Sequence, residues 1–228
     1  MSSRQPLADH DHPAIQAQAG ELTDGRPERR DKLESLFYFV RDDIRFGFPP
    51  KWDEVRASET LEVRMGYCTT KATLFLALCK AAGIPARVHT GLISLEIMHG
   101  IFPAFAFRAL PDKGGHSWLE VELDDAWRPI DSYINDRRFY EGALERLRDS
   151  GRMTGFSLSR AKGPTSCQFN FGEKGFVHMG AVVDDHGTWE DVADYIASPL
   201  YVRMSGMQQM VYPWLARMNN RTIESIRG

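Results

Sequence analysis

Cys68, His116 and Asp131 are the residues whose types and order can support covalent acyl chemistry. A thiol is a strong nucleophile only as thiolate, and a helix N-terminus favours that form through its macrodipole and unpaired backbone N–H groups. Cys68 follows Gly66-Tyr67 at the head of a strongly apolar segment, which predicts a place in the first helical turn. The backbone N–H groups of Cys68 and its neighbours would then also suit an oxyanion. His116 is the candidate acid and base, taking the thiol proton and returning it to a leaving group. Asp131 is the candidate for fixing the imidazole tautomer and stabilising the imidazolium. Each residue also has a plainer reading. A free cysteine is ordinarily a small buried hydrophobe, and a lone histidine or aspartate is ordinarily structural. The functional reading therefore requires all three to converge.

The elements that must position them are legible as hydrophobic periods. Residues 68–82 are apolar almost all round, as expected of a buried central helix, and Gly83 and Pro85 end it. Ala86 to Thr90 then reads as a strand. Residues 116–123 alternate as a strand, and 126–131 form its hairpin partner across Asp124-Asp125. If Leu123 pairs with Ala126, paired positions sum to 249. Trp118 then faces Asp131, and His116 lies diagonally across from Asp131 on the same face, roughly 7–8 Å away. The same register puts Leu119 and Ile130 on the opposite, core face. A shift of one residue would move Asp131 behind the sheet.

Elsewhere, Leu33, Leu36, Phe37, Val40 and Ile44 mark an amphipathic helix over 31–45, with Asp31 as a candidate cap. Residues 92–115 have no clear period. Residues 136–150 read as a helix, 157–183 as strand-like pieces, and 188–197 and 204–218 as helices, the last interrupted by Pro213. This divides the chain into a flexible polar N-terminal arm (1–30), a catalytic core (31–135) and a C-terminal extension completing or covering it (136–228). Within the arm, 13–19 is compatible with a short helix.

Hydrophobic residues make up 43% of the 228 residues, enough for a substantial core. The net charge is -3 and the two signs are mixed without a basic stripe, which argues against nucleic acid as a partner. Cys68, Cys79 and Cys167 are an odd set, and on one helix Cys68 and Cys79 would lie roughly 16 Å apart, too far for a disulfide. No CxxC or HExxH motif supports a metal, so no metal or cofactor is expected. The absence of an apolar leader or bilayer-length run predicts a cytoplasmic protein without a membrane partner.

Three ordered blocks carry a family resemblance. They are Ala57-Ser58-Glu59-Thr60-Leu61 with Gly66-Tyr67-Cys68-Thr69-Thr70-Lys71-Ala72 and Ala82-Gly83-Ile84-Pro85-Ala86-Arg87; then His116-Ser117-Trp118-Leu119-Glu120-Val121; then Trp127-Arg128-Pro129-Ile130-Asp131. Together they resemble the nucleophile, histidine and aspartate blocks of bacterial transglutaminase-like proteins, over roughly residues 32–135. The resemblance implies an α+β, papain-like core, with a nucleophile helix packed on an antiparallel sheet bearing the histidine and aspartate. It implies that Cys68 attacks an amide of a peptide, protein or small molecule to form a thioester, resolved by water or by an amine. Trp52 is a candidate oxyanion donor and Tyr67 a candidate pocket residue, while Trp118 is expected to pack beneath the triad. A different class, a binding module that keeps the fold without turnover, stays open. The oligomeric state is not fixed by these observations.

Overall fold

The computed structural model describes residues 5–52, 54–171 and 176–228. Two helices, α1 (Pro13–Thr23) and α2 (Arg29–Asp42), precede β1 (Arg45–Phe46) and α3 (Ala57–Val63). Next come β2 (Met65–Gly66), α4 (Cys68–Ala81), β3 (Ala86–Ser94) and the short α5 (Ala104–Phe107). The hairpin β4 (Lys113–Leu123) and β5 (Ala126–Ile130) leads into α6 (Arg137–Asp149). A small hairpin, β6 (Thr154–Gly155) and β7 (Leu158–Ser159), is followed by β8 (Val182–Trp189), α7 (Val192–Ala197) and α8 (Gly206–Arg227). The main sheet is antiparallel in the order β5-β4-β3-β8. The fold is α+β and papain-like, as the resemblance implied.

Helix α4 packs against α1, α2, α3, β3 and β4. Every residue from Thr69 to Cys79 is buried, which is why its sequence is apolar on all sides rather than striped. Gly83 follows with φ +68, the left-handed conformation that stops a helix at little cost when no Cβ is present. The β4–β5 pairing is the expected one, from Leu119↔Ile130 to Leu123↔Ala126. Asp124 and Asp125 both take positive φ (54° and 58°), as a two-residue turn of matching twist requires.

Several expectations are corrected. Within the segment read as a flexible polar arm, Pro13–Thr23 is helix α1, and Ala8, Ile15 and Ala19 are buried in the core. Ile15 and Ala19 are four residues apart, so two small apolar contacts on one face suffice to dock an otherwise polar helix. Residues 1–4 of that arm lie outside the described residues. Asp31 sits inside the first turn of α2, whose N-cap is Glu28. Thr188 and Trp189 belong to β8, and the following helix starts at Val192, capped by Asp191. Strand β8 is an edge strand and largely exposed, so it lacks the alternation that reveals half-buried strands.

The C-terminal residues are built into the same core: Phe139, Ala143, Leu147, Val177, Ile223 and Ile226 belong to one buried cluster with α4. Helix α8 lies along the chain that follows β1. Asn220 bonds both the N–H and the C=O of Phe48, and the Tyr212 hydroxyl donates to the Pro49 carbonyl. Arg227 reaches Asp136 at 2.7 Å, with both side chains less than a tenth exposed. Asp136 also accepts from the Phe46 and Phe139 N–H groups, and the Arg227 guanidinium holds its carboxyl below the usual range against the opposing effect of burial. Removing one member of a buried pair leaves the other charge uncompensated. Asp136→Ala is expected to cost about 3–5 kcal/mol in urea unfolding, and a loss below about 1 kcal/mol would show that this pair behaves like an exposed one.

Candidate active site

The approach to Cys68 is set by the parallel pairing of β1 and β2, Arg45↔Met65 and Phe46↔Gly66. A Cβ on Gly66 would stand 2.5 Å from the Thr70 hydroxyl oxygen, so this close approach requires glycine. Tyr67 is the N-cap, and its N–H donates to Thr70 Oγ1 at 3.1 Å. Cys68 is the first helical residue, and it is part-exposed where the eleven residues after it are buried. Its sulfur lies 3.9 Å from Thr69 Oγ1, and Thr69 Oγ1 lies 3.4 Å from Ser117 Oγ. The residues following Cys68 and His116 therefore touch, which joins the head of α4 to β4.

Ser117 meets Thr69 of α4, Leu119 and Val121 join the core cluster, and His116 and Trp118 stack on one another. Trp118 is sandwiched between His89, with centroids 4.3 Å apart, and His116 at 5.6 Å. His89 is itself held by Glu120 and Asp185. Trp118, expected to pack beneath the triad, thus lies stacked against the His116 ring.

Asp131 is fully buried. Its Oδ1 accepts the Val177 N–H at 2.9 Å, and its Oδ2 accepts those of His178 and Met179 at 2.7 and 2.9 Å. No hydrogen bond joins it to His116 among the described residues. The carboxylate expected to orient His116 is instead the anchor of a backbone segment 46–48 residues away. That segment brings in a residue that no local pattern singles out. The His178 ring lies 5.2 Å from that of His116, centroid to centroid. Its Nε2 is 2.7 Å from Ser157 Oγ, which donates to Asn135 Oδ1 at 3.2 Å. Asn135 Nδ2 returns to the Ser157 carbonyl at 2.7 Å. Phe156 and Ser157 form the β6–β7 turn with φ of 52° and 59°, a conformation disfavoured for such residues by of order 1 kcal/mol each.

Electrostatically the site is a dry one. Burial pushes the Asp131 carboxyl up to about 6, against three N–H donors that favour its charge. Burial lowers His116 well below the ordinary histidine value, with the neighbouring His178 adding to it, and lowers His178 to about 3. Both imidazoles are thus neutral at rest. Tyr133 is also fully buried; burial first, then the nearby Asp131 and Cys68, raise its hydroxyl. Trp52 stacks on Tyr67 at 4.8 Å and 16° and meets Tyr212 edge-on at 4.9 Å. Trp52 and Tyr67 are thus together, and Tyr67 immediately precedes Cys68 in the chain. No cluster of three or more His, Cys, Asp or Glu residues arranged to hold a metal occurs among the described residues.

The core of the transglutaminase-like superfamily matches residues 16–132, just over half of the chain. This protein belongs to the transglutaminase-like superfamily. Bacillus subtilis YebA, an uncharacterised protein, is 30% identical over 95 residues, covering 40% of this chain and 13% of YebA. A protein from Cytophaga hutchinsonii, provisionally described as a cysteine protease, has 16% identity and a TM-score of 0.50, covering 84% of this chain and 46% of that one. The periplasmic domain of TgpA from Pseudomonas aeruginosa, solved with ethylmercury, has 21% identity and a TM-score of 0.40, covering 64% of this chain and 49% of that one. This superfamily member thus spans less than half the length of each of these proteins. Among its described residues, no helix is long and apolar enough to cross a membrane.

The two neutral histidines make stability depend on pH. Their folded pKa values lie below the unfolded value of 6.5, so the unfolded chain binds the extra protons. Their stabilising contribution is full above that value and is lost as pH falls toward 3. Asp131, raised from 3.8 to about 6, works in the opposite direction between those values and offsets part of the loss. The melting temperature is expected to fall between about pH 6.5 and pH 4. In Asp131→Asn the opposing contribution is gone, so the slope should steepen; an unchanged slope would rule out this assignment.

Proposed function

We propose that this chain is a cysteine-dependent acyl-transfer enzyme acting on an amide or peptide-like donor. The observation that carries the proposal is Cys68 at the first position of α4, part-exposed at the end of a buried helix and joined to the His116 strand through Thr69 and Ser117. In this reading Cys68 Sγ attacks the amide carbonyl as His116 takes its proton. Backbone N–H groups of the first turn hold the oxyanion. The C–N bond breaks, His116 protonates the departing amine, and a Cys68 thioester remains. Water or an amine then attacks the thioester, giving its proton to His116, and the thiol is restored. Asp131 supports this by fixing the segment behind His116.

The same reading assigns the donor to the space beyond Trp52. A cavity of about 400 Å³ opens there between Trp52, Tyr201, Arg203, Tyr212 and Pro213. Exposed Met207, Met210 and Trp214 extend the apolar surface along α8. The aromatic wall favours a donor with an apolar group next to the amide. The other two thiols are poor candidates for this chemistry. Cys79 and Cys167 are buried, and burial raises both, Cys167 to about 11. Three free thiols accord with the cytoplasmic compartment that forms part of this proposal.

The alternative is a binding module without turnover, favoured by one observation: the Asp131 oxygens are taken by backbone groups. Intact-mass analysis after incubation with a pool of glutamine-containing peptides separates the two. An acyl adduct on Cys68, absent in Cys68→Ala of unchanged melting temperature, is expected. Its decay in buffer alone marks a hydrolase, and decay only with added hydroxylamine or lysine marks an acyltransferase. Iodoacetamide at neutral pH should modify Cys68 well before Cys79 and Cys167; no adduct together with equal labelling of all three thiols would favour the binding module.

A further inference from the structure

Hydrogen-bond accounting favours one tautomer of His178, because only a proton on Nε2 lets the Ser157 hydroxyl satisfy both of its contacts. The Ser157 hydroxyl has one proton, and it is directed to Asn135 Oδ1. Asn135 Oδ1 can only accept, because the amide's other end donates to the Ser157 carbonyl. Ser157 Oγ must therefore accept at its 2.7 Å contact with His178 Nε2, so the His178 proton sits on Nε2. His178 Nδ1 is left as a bare lone pair. Among the described residues it is buried with no hydrogen-bond partner, and the same holds for His116 Nε2. The two rings are 5.2 Å apart by centroid, inclined at 49°. An unpaired buried acceptor thus stands next to an imidazole that must gain a second N–H when it takes the thiol proton. Unpaired buried groups of this kind are uncommon, and they are costly unless a partner arrives.

We infer that His178 is a positioning residue for His116: its Nδ1 accepts an N–H of the His116 imidazolium, the role expected of Asp131. The inference rests on the reading of Cys68 and His116 given above. The proton stays on His116 throughout, and His178 supplies only the lone pair. A small rotation of either ring, or one water between them, closes the remaining gap. Asp131 enters one step back, since its three backbone contacts hold residues 177–179 and so aim the His178 ring. The arrangement matches a cysteine–histidine pair that ionises as the sulfur meets an electrophile, whether an amide donor or an alkylating agent. At rest both rings stay neutral, and the charge gains its acceptor only as it develops.

The test reads the pH profile of Cys68 alkylation by iodoacetamide in the full chain. Asp131, Tyr133, His116 and His178 line the pair, and Lys71 acts on His178 from α4. His178→Gln keeps a donor for Ser157 but moves the acceptor, whereas His178→Asn places an amide oxygen near the Nδ1 position. At about pH 6, well below the ordinary thiol value of roughly 8.5, the wild-type thiol should react as a thiolate. His178→Gln should lose about tenfold of that rate, the size of one hydrogen bond to a charged group. His178→Asn should recover most of it, and neither change should alter the rate at about pH 9.5, where the thiol ionises unaided. Full activity in folded His178→Gln, or equal loss in both folded variants, overturns the inference. If both variants fail to fold, imidazole ¹⁵N shifts of the wild type decide: the Nε2–H tautomer of His178 is required, and Nδ1–H overturns the inference. A wild-type thiol with no excess reactivity at pH 6, or one indifferent to His116→Ala, would instead bring down the functional reading itself.

Discussion

Helix α4 is enclosed by three helices and two strands, and only its ends reach the surface. The rest of the structure follows from that enclosure. A helix buried on every side has no room for polar side chains that cannot find partners, so its chemistry is confined to its termini. Lys71 shows the strain of departing from this. Fully buried, it is lowered to about 7 by desolvation against the pull of Asp136 and Asp42, and its ammonium reaches the Arg41 carbonyl at 3.2 Å. Cys68 avoids that penalty by standing at the N-terminal end, where backbone N–H groups are unpaired and a negative charge is favoured.

The histidine side of the site works in the opposite way. His116, His178, Asp131 and Tyr133 are all buried, and burial is the largest cause of every shift among them. A resting site of neutral imidazoles and costly charges is stable only because backbone groups carry most of the hydrogen bonding. Asp131 receives three N–H bonds, and the Ser157–Asn135 pair holds the His178 ring. The strained turn at Phe156 and Ser157 belongs to the same arrangement: its backbone donates to the His99 and Ile97 carbonyls while its hydroxyl turns inward. The C-terminal half is thus part of the site's architecture, through His178 on one side and the Tyr212 wall beside Trp52 on the other.

Much of this was legible in the chain itself. The continuous apolar run ended by Gly83 and Pro85 announced a buried helix headed by Cys68, and the Asp124-Asp125 turn set the β4–β5 register to the residue. Helix α1 was harder to read because two apolar positions among polar ones give a weak period, and β8 because an exposed edge strand has no buried face to encode. Residues 154–171 make only short pairings, and nothing local in them predicts that Ser157 meets both Asn135 and His178.

The sequence by itself determined which residues lead the central helix and which pair across the β4–β5 hairpin. Periodicity and turn chemistry are properties of neighbouring residues, and they specify both. It did not determine what those residues touch. The Asp131 carboxylate was in reach of His116 by register, yet three backbone N–H groups from a segment far along the chain took its oxygens. Which acceptor a buried donor finds depends on which distant segment packs beside it, and only the assembled core decides that.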